Sequence, residues 1–170
     1  MSPFTVDQLA LATELLEKCR AQGLRIATAE SCTGGLIAAC LTAVAGSSDV
    51  VERGFVTYTN EAKSDMLGVP EALFPVVGAV SQEVALAMAK GAQERSQADL
   101  SVSVTGVAGP GGGSETKPVG LVHLAVASIT NIQHQEMLYD GNRDQVRSQT
   151  VITALEMLLE EAGRLQIDLP

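Results

Sequence analysis

A serine stands where an expected strand turns into an expected helix, within Ala29-Glu30-Ser31-Cys32-Thr33-Gly34-Gly35. At such a junction the Ser31 hydroxyl lies at the carboxyl end of the strand, beside helix N–H groups that stabilise developing negative charge. Gly34 and Gly35 allow a substrate to approach the backbone closely. These features favour Ser31 as a nucleophile, although Ser31 and Thr33 also suit the simpler role of capping the helix.

A nucleophilic serine needs a base, and the two histidines of the chain lack a hydrolase-like context. His123 and His134 both fall within expected strands, where a histidine more often has a structural role. The Gly-x-Ser-x-Gly pattern of a hydrolase nucleophile elbow is also absent around Ser31. Ser31 is therefore expected to use another base.

Lysine is the natural substitute, because burial favours its neutral form. Lys63 follows an expected strand that ends at Tyr58, so a parallel neighbour of the Ser31 strand would bring it to the same edge of the sheet. The other lysines fall on helix surfaces or in a polar loop. The alternative for Lys63 is an exposed side chain paired with Glu61 or Asp65.

Cys32 is a further candidate nucleophile, since a thiol at a helix start can be acidified. The alternative is a small buried cysteine, which is common in proteins. The three cysteines, Cys19, Cys32 and Cys40, show no metal-ligand spacing, and their odd number favours free thiols. The sequence indicates neither a zinc site nor a disulfide.

Two segments could bind an anion. The glycine-rich stretch 105–114 follows an expected strand, and its N–H groups could surround an anion or a carboxamide, although a flexible turn is the alternative. It matches neither the P-loop nor the dinucleotide-binding motif. Arg143 and Arg147 lie one turn apart at the start of the last expected helix, where they could bind a phosphate or pair with Asp140 or Asp144.

Hydrophobic periodicity and turn residues predict the elements that position these groups. Helices are expected over 6–22, from 36 to about 45, over 60–66, after Ser81 and from about 142, with a loop containing Pro70 and Pro75. Strands are expected over 24–29, 54–58 and 100–104, followed by a hairpin of 119–128 and 132–139. Alternating strands and helices that end in a hairpin predict a three-layer α/β/α sandwich with a mixed, mostly parallel sheet of about five strands.

Composition narrows the range of partners. The 170 residues, 46% of them apolar, suit one domain over 1–170. A net charge of −9 argues against a nucleic-acid or anionic-membrane partner, which needs clustered Lys and Arg. No signal peptide or membrane-spanning run is evident, so we expect a cytoplasmic protein. The high apolar content of a small acidic chain predicts a homo-oligomer.

Six segments together closely resemble the CinA C-terminal domain family. They are 28–35 (TAESCTGG), 46–48 (GSS), 53–63 (RGFVTYTNEAK), 78–81 (GAVS), 105–110 (TGVAGP) and 117–120 (KPVG). The catalytic members of this family are nicotinamide-nucleotide amidohydrolases. The resemblance implies hydrolysis of nicotinamide mononucleotide to nicotinate mononucleotide and ammonia, in pyridine nucleotide recycling, with neither metal nor cofactor.

The resemblance also assigns roles to residues. It implies that Ser31 is the nucleophile and Lys63 its base, supported by Tyr58 and Thr105. Backbone N–H groups of Cys32, Thr33, Gly34 and Gly35, or of Gly106, are expected to hold the oxyanion. The glycine-rich loop, including Gly109, together with Arg143 or Arg147 is expected to bind the phosphate.

Two other functions remain open from the sequence. One is a non-enzymatic binding or regulatory module, suggested by the association of the family with competence and DNA-damage operons. The other is an amidohydrolase for a different amide, which would keep Ser31 and Lys63 but change the pocket.

Overall fold

One five-stranded sheet forms the centre of the protein, in a computed structural model that describes residues 1–168. Its strands are β1 (Ile26–Glu30), β2 (Val51–Val56), β3 (Leu100–Gly106), β4 (Leu121–Ser128) and β5 (Ile132–Leu138). Their order in the sheet is β2-β1-β3-β4-β5. β1 pairs in parallel with β2 and β3, whereas β4 is antiparallel to both β3 and β5. All strands except β4 therefore run in one direction, which confirms the mixed, mostly parallel sheet.

Helices cover both faces of the sheet. They are α1 (Val6–Gln22), α2 (Leu36–Thr42), α3 (Asn60–Leu67), α4 (Phe74–Val77), α5 (Gln82–Glu94) and α6 (Arg143–Asp168), with single 3₁₀ turns at Ser47–Asp49 and Glu71–Leu73. α1, α2 and α6 contact one another on one face, while α5 packs on the other face with α3 beside it. The expected three-layer α/β/α sandwich is confirmed. No helix in the described part of the chain is long and apolar enough to cross a membrane.

The two faces of the sheet are packed differently. Branched aliphatic side chains fill the space beneath α1, α2 and α6. On the opposite face, Ala85 and Ala89 of α5 meet Ala125 and Ala127 of β4. Because these side chains are small, α5 lies close enough for strand hydroxyls on β3 to donate 2.6 Å hydrogen bonds to helix carbonyls. This close packing fixes the end of β3 that leads into the glycine-rich loop.

The local signals at α1 were sufficient to predict both of its ends. Thr5 caps the helix and forms a capping box with Gln8, and Gly23 ends it in the left-handed conformation at φ 68°. The predicted hairpin is likewise confirmed by the antiparallel pairing of β4 with β5.

β2, α2 and the proline-containing loop differ most from the expected elements. β2 covers Val51–Val56 rather than 54–58, because its pairing with β1 ends where Glu30 faces Val56. α2 ends at Thr42 instead of about residue 45. The segment with two prolines is not an open loop, since Pro75 lies in the first turn of α4, where a helix needs no proline N–H.

Candidate active site

Ser31 is held at the carboxyl end of β1 by its own backbone. Its N–H donates to the Val104 carbonyl at 3.1 Å, which continues the β1–β3 pairing one residue beyond β1. The chain then turns sharply, with Gly34 at φ 59° and Gly35 at φ 104°. A residue with a side chain rarely adopts these angles, so the two glycines let the chain turn directly into α2.

Lys63 reaches the same point from α3. Thr59 caps this helix by accepting the Ala62 N–H at 3.0 Å. The Lys63 Nζ lies 3.0 Å from the Ser31 Oγ, 3.0 Å from the Thr57 carbonyl oxygen and 3.3 Å from the Tyr58 carbonyl oxygen. Only 1% of the Lys63 surface is exposed. The alternative of an exposed lysine paired with a neighbouring carboxylate is therefore wrong.

The surroundings of Lys63 favour its neutral form. Burial lowers the pKa of the Lys63 amine below its ordinary value, against a smaller opposing effect of Cys32. Among residues 1–165, whose side chains the structure describes, no carboxylate forms an ion pair with Lys63. A neutral amine has two N–H groups for the two carbonyls and one lone pair for a hydroxyl proton. The three contacts thus fit a lysine that accepts the proton of Ser31.

An open cavity of about 290 Å³ lies over this pair. Eight of the expected site residues line it, namely Ser31, Cys32, Tyr58, Lys63, Thr105, Gly106, Gly109 and Arg143. The other lining residues are Asn60, Ala79, Val80, Val107, Ala108, Gly111 and Gly112. The cavity therefore brings together the ends of β1 and β3, the start of α3 and the glycine-rich loop, as expected for ligands of an open α/β sheet.

Arg143 connects two walls of this cavity. Its Nη2 donates to the Tyr58 hydroxyl at 2.9 Å, and its Nη1 donates to the Gly109 carbonyl at 2.8 Å. Tyr58 is 58% exposed, so this contact lies at the mouth of the cavity and not at its base. Apart from Lys63, Arg143 is the one cationic side chain among the lining residues.

Arg147 does not share the cavity with Arg143, contrary to the expectation of a paired phosphate site. Its Nε donates to the Cys32 carbonyl and its Nη2 to the Thr33 carbonyl, both at 3.1 Å. These bonds direct the guanidinium toward the turn after Ser31 instead of the cavity. Arg147 therefore stabilises the backbone that carries the nucleophile.

The start of α2 also differs from the expectation, because its N–H groups bind Glu30. The Glu30 carboxylate, fully buried, accepts the Ile37 N–H at 2.8 Å and the Ala38 N–H at 3.1 Å. These donors are consequently unavailable for an oxyanion. The acidic residue directly before the serine was the available signal, and the sequence interpretation did not use it.

Cys32 supplies an N–H donor directly beside the nucleophile. Among residues 1–165, whose side chains the structure describes, no oxygen acceptor lies on the Cys32 N–H, and Cys32 lines the cavity. Thr33, Gly34 and Gly35 do not line it. The next residue after a nucleophile is well placed to stabilise a developing oxyanion, so Cys32 is the favoured donor.

The Cys32 thiol is unsuited to act as the nucleophile. Burial raises its pKa to about 11, and only 6% of the residue is exposed. A thiol is reactive as its thiolate, which burial disfavours here. Of the two candidate nucleophiles at this turn, the structure favours Ser31.

Thr105 supports the cavity through its hydroxyl, which donates to the Ala79 carbonyl at 2.9 Å. This bond ties the segment before α5 to the end of β3. His123 and His134 lie elsewhere, with the His123 Nδ1 2.9 Å from the His134 Nε2, and neither lines the cavity. A serine–histidine arrangement is therefore not formed. Within the described chain, no three His, Cys, Asp or Glu side chains form a metal-binding group.

The fold and this site define an α/β protein with a buried serine–lysine pair at the carboxyl edge of its parallel strands. Residues 8–162 match the model of the CinA C-terminal domain, and the chain belongs to this family.

Two relatives differ in their length. The chain is 52% identical over 160 residues to nicotinamide-nucleotide amidohydrolase PncC of Pseudomonas putida, covering 94% of this chain and 98% of that protein. It is 51% identical over 155 residues to a CinA-like protein of Citrifermentans bemidjiense, covering 91% of this chain but 37% of that protein. The chain thus spans almost all of the first relative and little more than a third of the second.

Solved structures share the architecture. The competence/damage inducible protein CihA from Agrobacterium tumefaciens superposes with a TM-score of 0.93 at 56% identity, covering 94% of this chain and 98% of that one. A CinA superfamily protein from Klebsiella pneumoniae gives a TM-score of 0.88 at 34% identity, covering 92% and 98%.

Proposed function

We propose that this protein hydrolyses the carboxamide of nicotinamide mononucleotide to nicotinate mononucleotide and ammonia, with Ser31 as nucleophile and Lys63 as base. The observation that carries the mechanism is the 3.0 Å contact between the Ser31 Oγ and the buried Lys63 Nζ. The substrate follows from the 52% identity to the Pseudomonas putida amidohydrolase. We place the activity in the cytoplasm, in pyridine nucleotide recycling.

Acylation follows from the three contacts of Lys63. As the Ser31 Oγ attacks the carboxamide carbon, its proton moves to the Lys63 Nζ. The Cys32 N–H stabilises the oxyanion of the tetrahedral intermediate. The bond between carbon and nitrogen then breaks, and the Lys63 ammonium gives its proton to the departing amide nitrogen, which leaves as ammonia. An ester between Ser31 and the nicotinate group remains.

Deacylation uses the same groups in reverse. Water attacks the ester carbon and gives a proton to the neutral Lys63 Nζ. When the tetrahedral intermediate collapses, this proton returns to the Ser31 Oγ and nicotinate mononucleotide is released. Serine, lysine and the backbone donor therefore complete the cycle, and the proposed reaction requires neither a metal ion nor a cofactor.

The rest of the substrate is assigned to the mouth of the cavity. The guanidinium of Arg143 lies there, held by Tyr58 and Gly109, and supplies positive charge for the phosphate. Glycines of the loop leave room for the ribose and for N–H donors. The net charge of −9 makes a nucleic acid or an anionic membrane an unsuitable partner.

The test is ammonia release from nicotinamide mononucleotide in the presence of a metal chelator. We expect turnover by the wild type and loss of at least about 10²-fold in Ser31→Ala and in Lys63→Ala, in line with the contribution of a general base. Lys90→Ala, which removes an exposed lysine of α5, is the matched control and should retain full activity. Full activity in Ser31→Ala would exclude the proposed nucleophile, and an inactive wild type would exclude the proposed reaction.

A further inference from the structure

β5 is an edge strand with few of the features that usually protect an edge. Its sequence, IQHQEML, contains no Pro, Gly, Lys or Arg, Glu136 is its one acidic residue, and it pairs with β4 without a register shift. The opposite edge strand, β2, carries Glu52, Arg53 and Gly54 and has a register shift against β1. Natural proteins discourage edge pairing with charges, bulges and short strands. The contrast indicates that β5 is open to pairing.

The hydrogen bonds to β4 show which groups of β5 face outward. The Tyr139 backbone N–H donates to the Gly120 carbonyl, and the Ser128 backbone N–H donates to the Asn131 carbonyl. The odd-numbered residues along β5 and its flanks therefore bond to β4. Bonding alternates along an antiparallel strand. The N–H and C=O groups of Ile132, His134, Glu136 and Leu138 therefore point away from the sheet.

The side chains of β5 are self-complementary about Gln135. In an antiparallel pair of two β5 strands centred there, Ile132 faces Leu138 of the second copy and His134 faces Glu136 of the second copy. Ile132 is 44% exposed and Leu138 65% exposed, so the pairing would cover two apolar side chains on each copy. Apolar pairs and pairs of opposite charge or hydrogen-bonding character stabilise adjacent strands.

We propose that two copies of this chain associate through antiparallel pairing of β5 with β5, about a two-fold axis at Gln135, to form one continuous sheet. The outward N–H and C=O groups of His134 and Glu136 then exchange backbone hydrogen bonds across the axis. The His134 Nε2 already contacts His123, which leaves its Nδ1 for the Glu136 carboxylate of the second copy. The interface is isologous, as expected for a closed homodimer.

A cysteine substitution tests the register directly. Gln135 occupies a position that does not bond across the new edge, where facing Cα atoms lie about 4.5 Å apart, within disulfide range. Gln135→Cys should therefore form an intermolecular disulfide under mild oxidation. Gln133→Cys is the matched control, because its copy would lie about four residues away along the strand, roughly 13 Å, beyond disulfide reach. The native cysteines are all buried and should not interfere.

The mass in solution tests the association itself. Sedimentation equilibrium of the wild type should give twice the chain mass of 17.7 kDa. Leu138→Lys should raise the dimer dissociation constant at least about tenfold, because it replaces two facing apolar pairs. Val76→Lys changes an apolar residue that is 79% exposed but lies off this edge, and it should leave the dimer intact.

Two results would overturn the β5 dimer. One is a wild-type protein that stays monomeric at about 100 μM, a concentration well above the dissociation constant of a stable dimer. The other is equal cross-linking of Gln135→Cys and Gln133→Cys, or none of Gln135→Cys, in proteins whose circular dichroism matches that of the wild type. Selective cross-linking at position 135 together with the dimer mass would support it.

Discussion

The Lys63 Nζ lies 3.0 Å from the Ser31 Oγ although the two residues are 32 positions apart in the chain. The contact forms because β1 and β2 are parallel neighbours, so that the turn after each strand reaches the same edge of the sheet. Burial of the lysine then lowers its pKa and makes the amine available as a base. One topological relationship thus supplies the proximity, and burial at the same place favours the neutral amine that the proposed reaction requires.

The first prediction concerns the pH dependence of activity. The base must be unprotonated, so kcat/KM should rise with pH through the Lys63 pKa of the free enzyme and level off above it. Because burial lowers this pKa, the rise should be complete below the ordinary lysine value of 10.5. The measurement is ammonia release from nicotinamide mononucleotide across pH 5 to 10, with folding checked at each pH. A profile that shows no levelling off by pH 10 would contradict the role of Lys63.

The same lowered pKa predicts how folding stability changes with pH. Between the lowered folded-state pKa and the ordinary value of 10.5, the unfolded chain holds a proton on Lys63 that the folded chain lacks. The unfolded state binds more protons, so the free energy of unfolding rises with pH in this window. Relative to Lys63→Met, which has no such proton, the wild type should therefore gain stability as pH increases.

Urea denaturation of the two proteins at pH 7 and pH 9.5 measures this difference. Lys90→Met removes an exposed positive charge from α5 and serves as the control for net charge. The free energy of unfolding of the wild type minus that of Lys63→Met should increase from pH 7 to pH 9.5. If this difference stays constant or decreases, Lys63 is charged in the folded protein.

Much of the site could be predicted because it depends on strand order and local signals. Ser31 and Lys63 each follow a recognisable strand, and parallel pairing was enough to place them together. The capping box of Thr5 and Gln8 likewise predicted α1 without any tertiary information. These features depend on residues close in sequence or on general rules of sheet topology.

The roles of Glu30 and Arg147 could not be predicted, because each depends on where distant backbone lies. Arg147 is more than a hundred positions from the carbonyls that it binds, and its spacing from Arg143 gave the same pattern as a phosphate site. The end of β2 depended similarly on its register with β1 rather than on its own residues. Periodicity identifies a helix face but not the groups that this face meets.

Glu30 yields a prediction on stability. In Glu30→Gln the side-chain amide group cannot accept one of the two N–H bonds that the carboxylate receives from Ile37 and Ala38. A buried N–H is then left unpaired, which should cost about 1–3 kcal/mol of unfolding free energy. Chemical denaturation measures the loss. Glu14→Gln, a matched change at an exposed position of α1, should cost less than about 0.5 kcal/mol, and an equal effect of the two changes would argue against the cap.

Arg147→Ala tests whether Arg147 positions the nucleophile. Without the two bonds to the Cys32 and Thr33 carbonyls, the turn that carries Ser31 should lose its fixed geometry. A small misplacement can reduce a rate by about 10²-fold. We expect kcat to fall by a similar factor for nicotinamide mononucleotide and for its dephosphorylated nucleoside, with little change in KM. A loss confined to the mononucleotide would instead assign Arg147 to the phosphate.

Arg143→Ala should reduce activity on the mononucleotide much more than activity on the nucleoside, because Arg143 lies at the mouth of the cavity rather than behind the nucleophile. A charge-assisted bond to the phosphate contributes about 1.5–3 kcal/mol, so kcat/KM for the mononucleotide should fall roughly 10- to 100-fold. The nucleoside has no phosphate and should be affected much less. Tyr58→Phe removes the hydroxyl that accepts the Arg143 Nη2 and should reproduce part of this effect if the contact orients the guanidinium. Measuring both substrates with both arginine variants separates phosphate binding from positioning of the nucleophile. Equal losses of kcat/KM for the nucleotide and the nucleoside in Arg143→Ala would show that this arginine does not bind the phosphate.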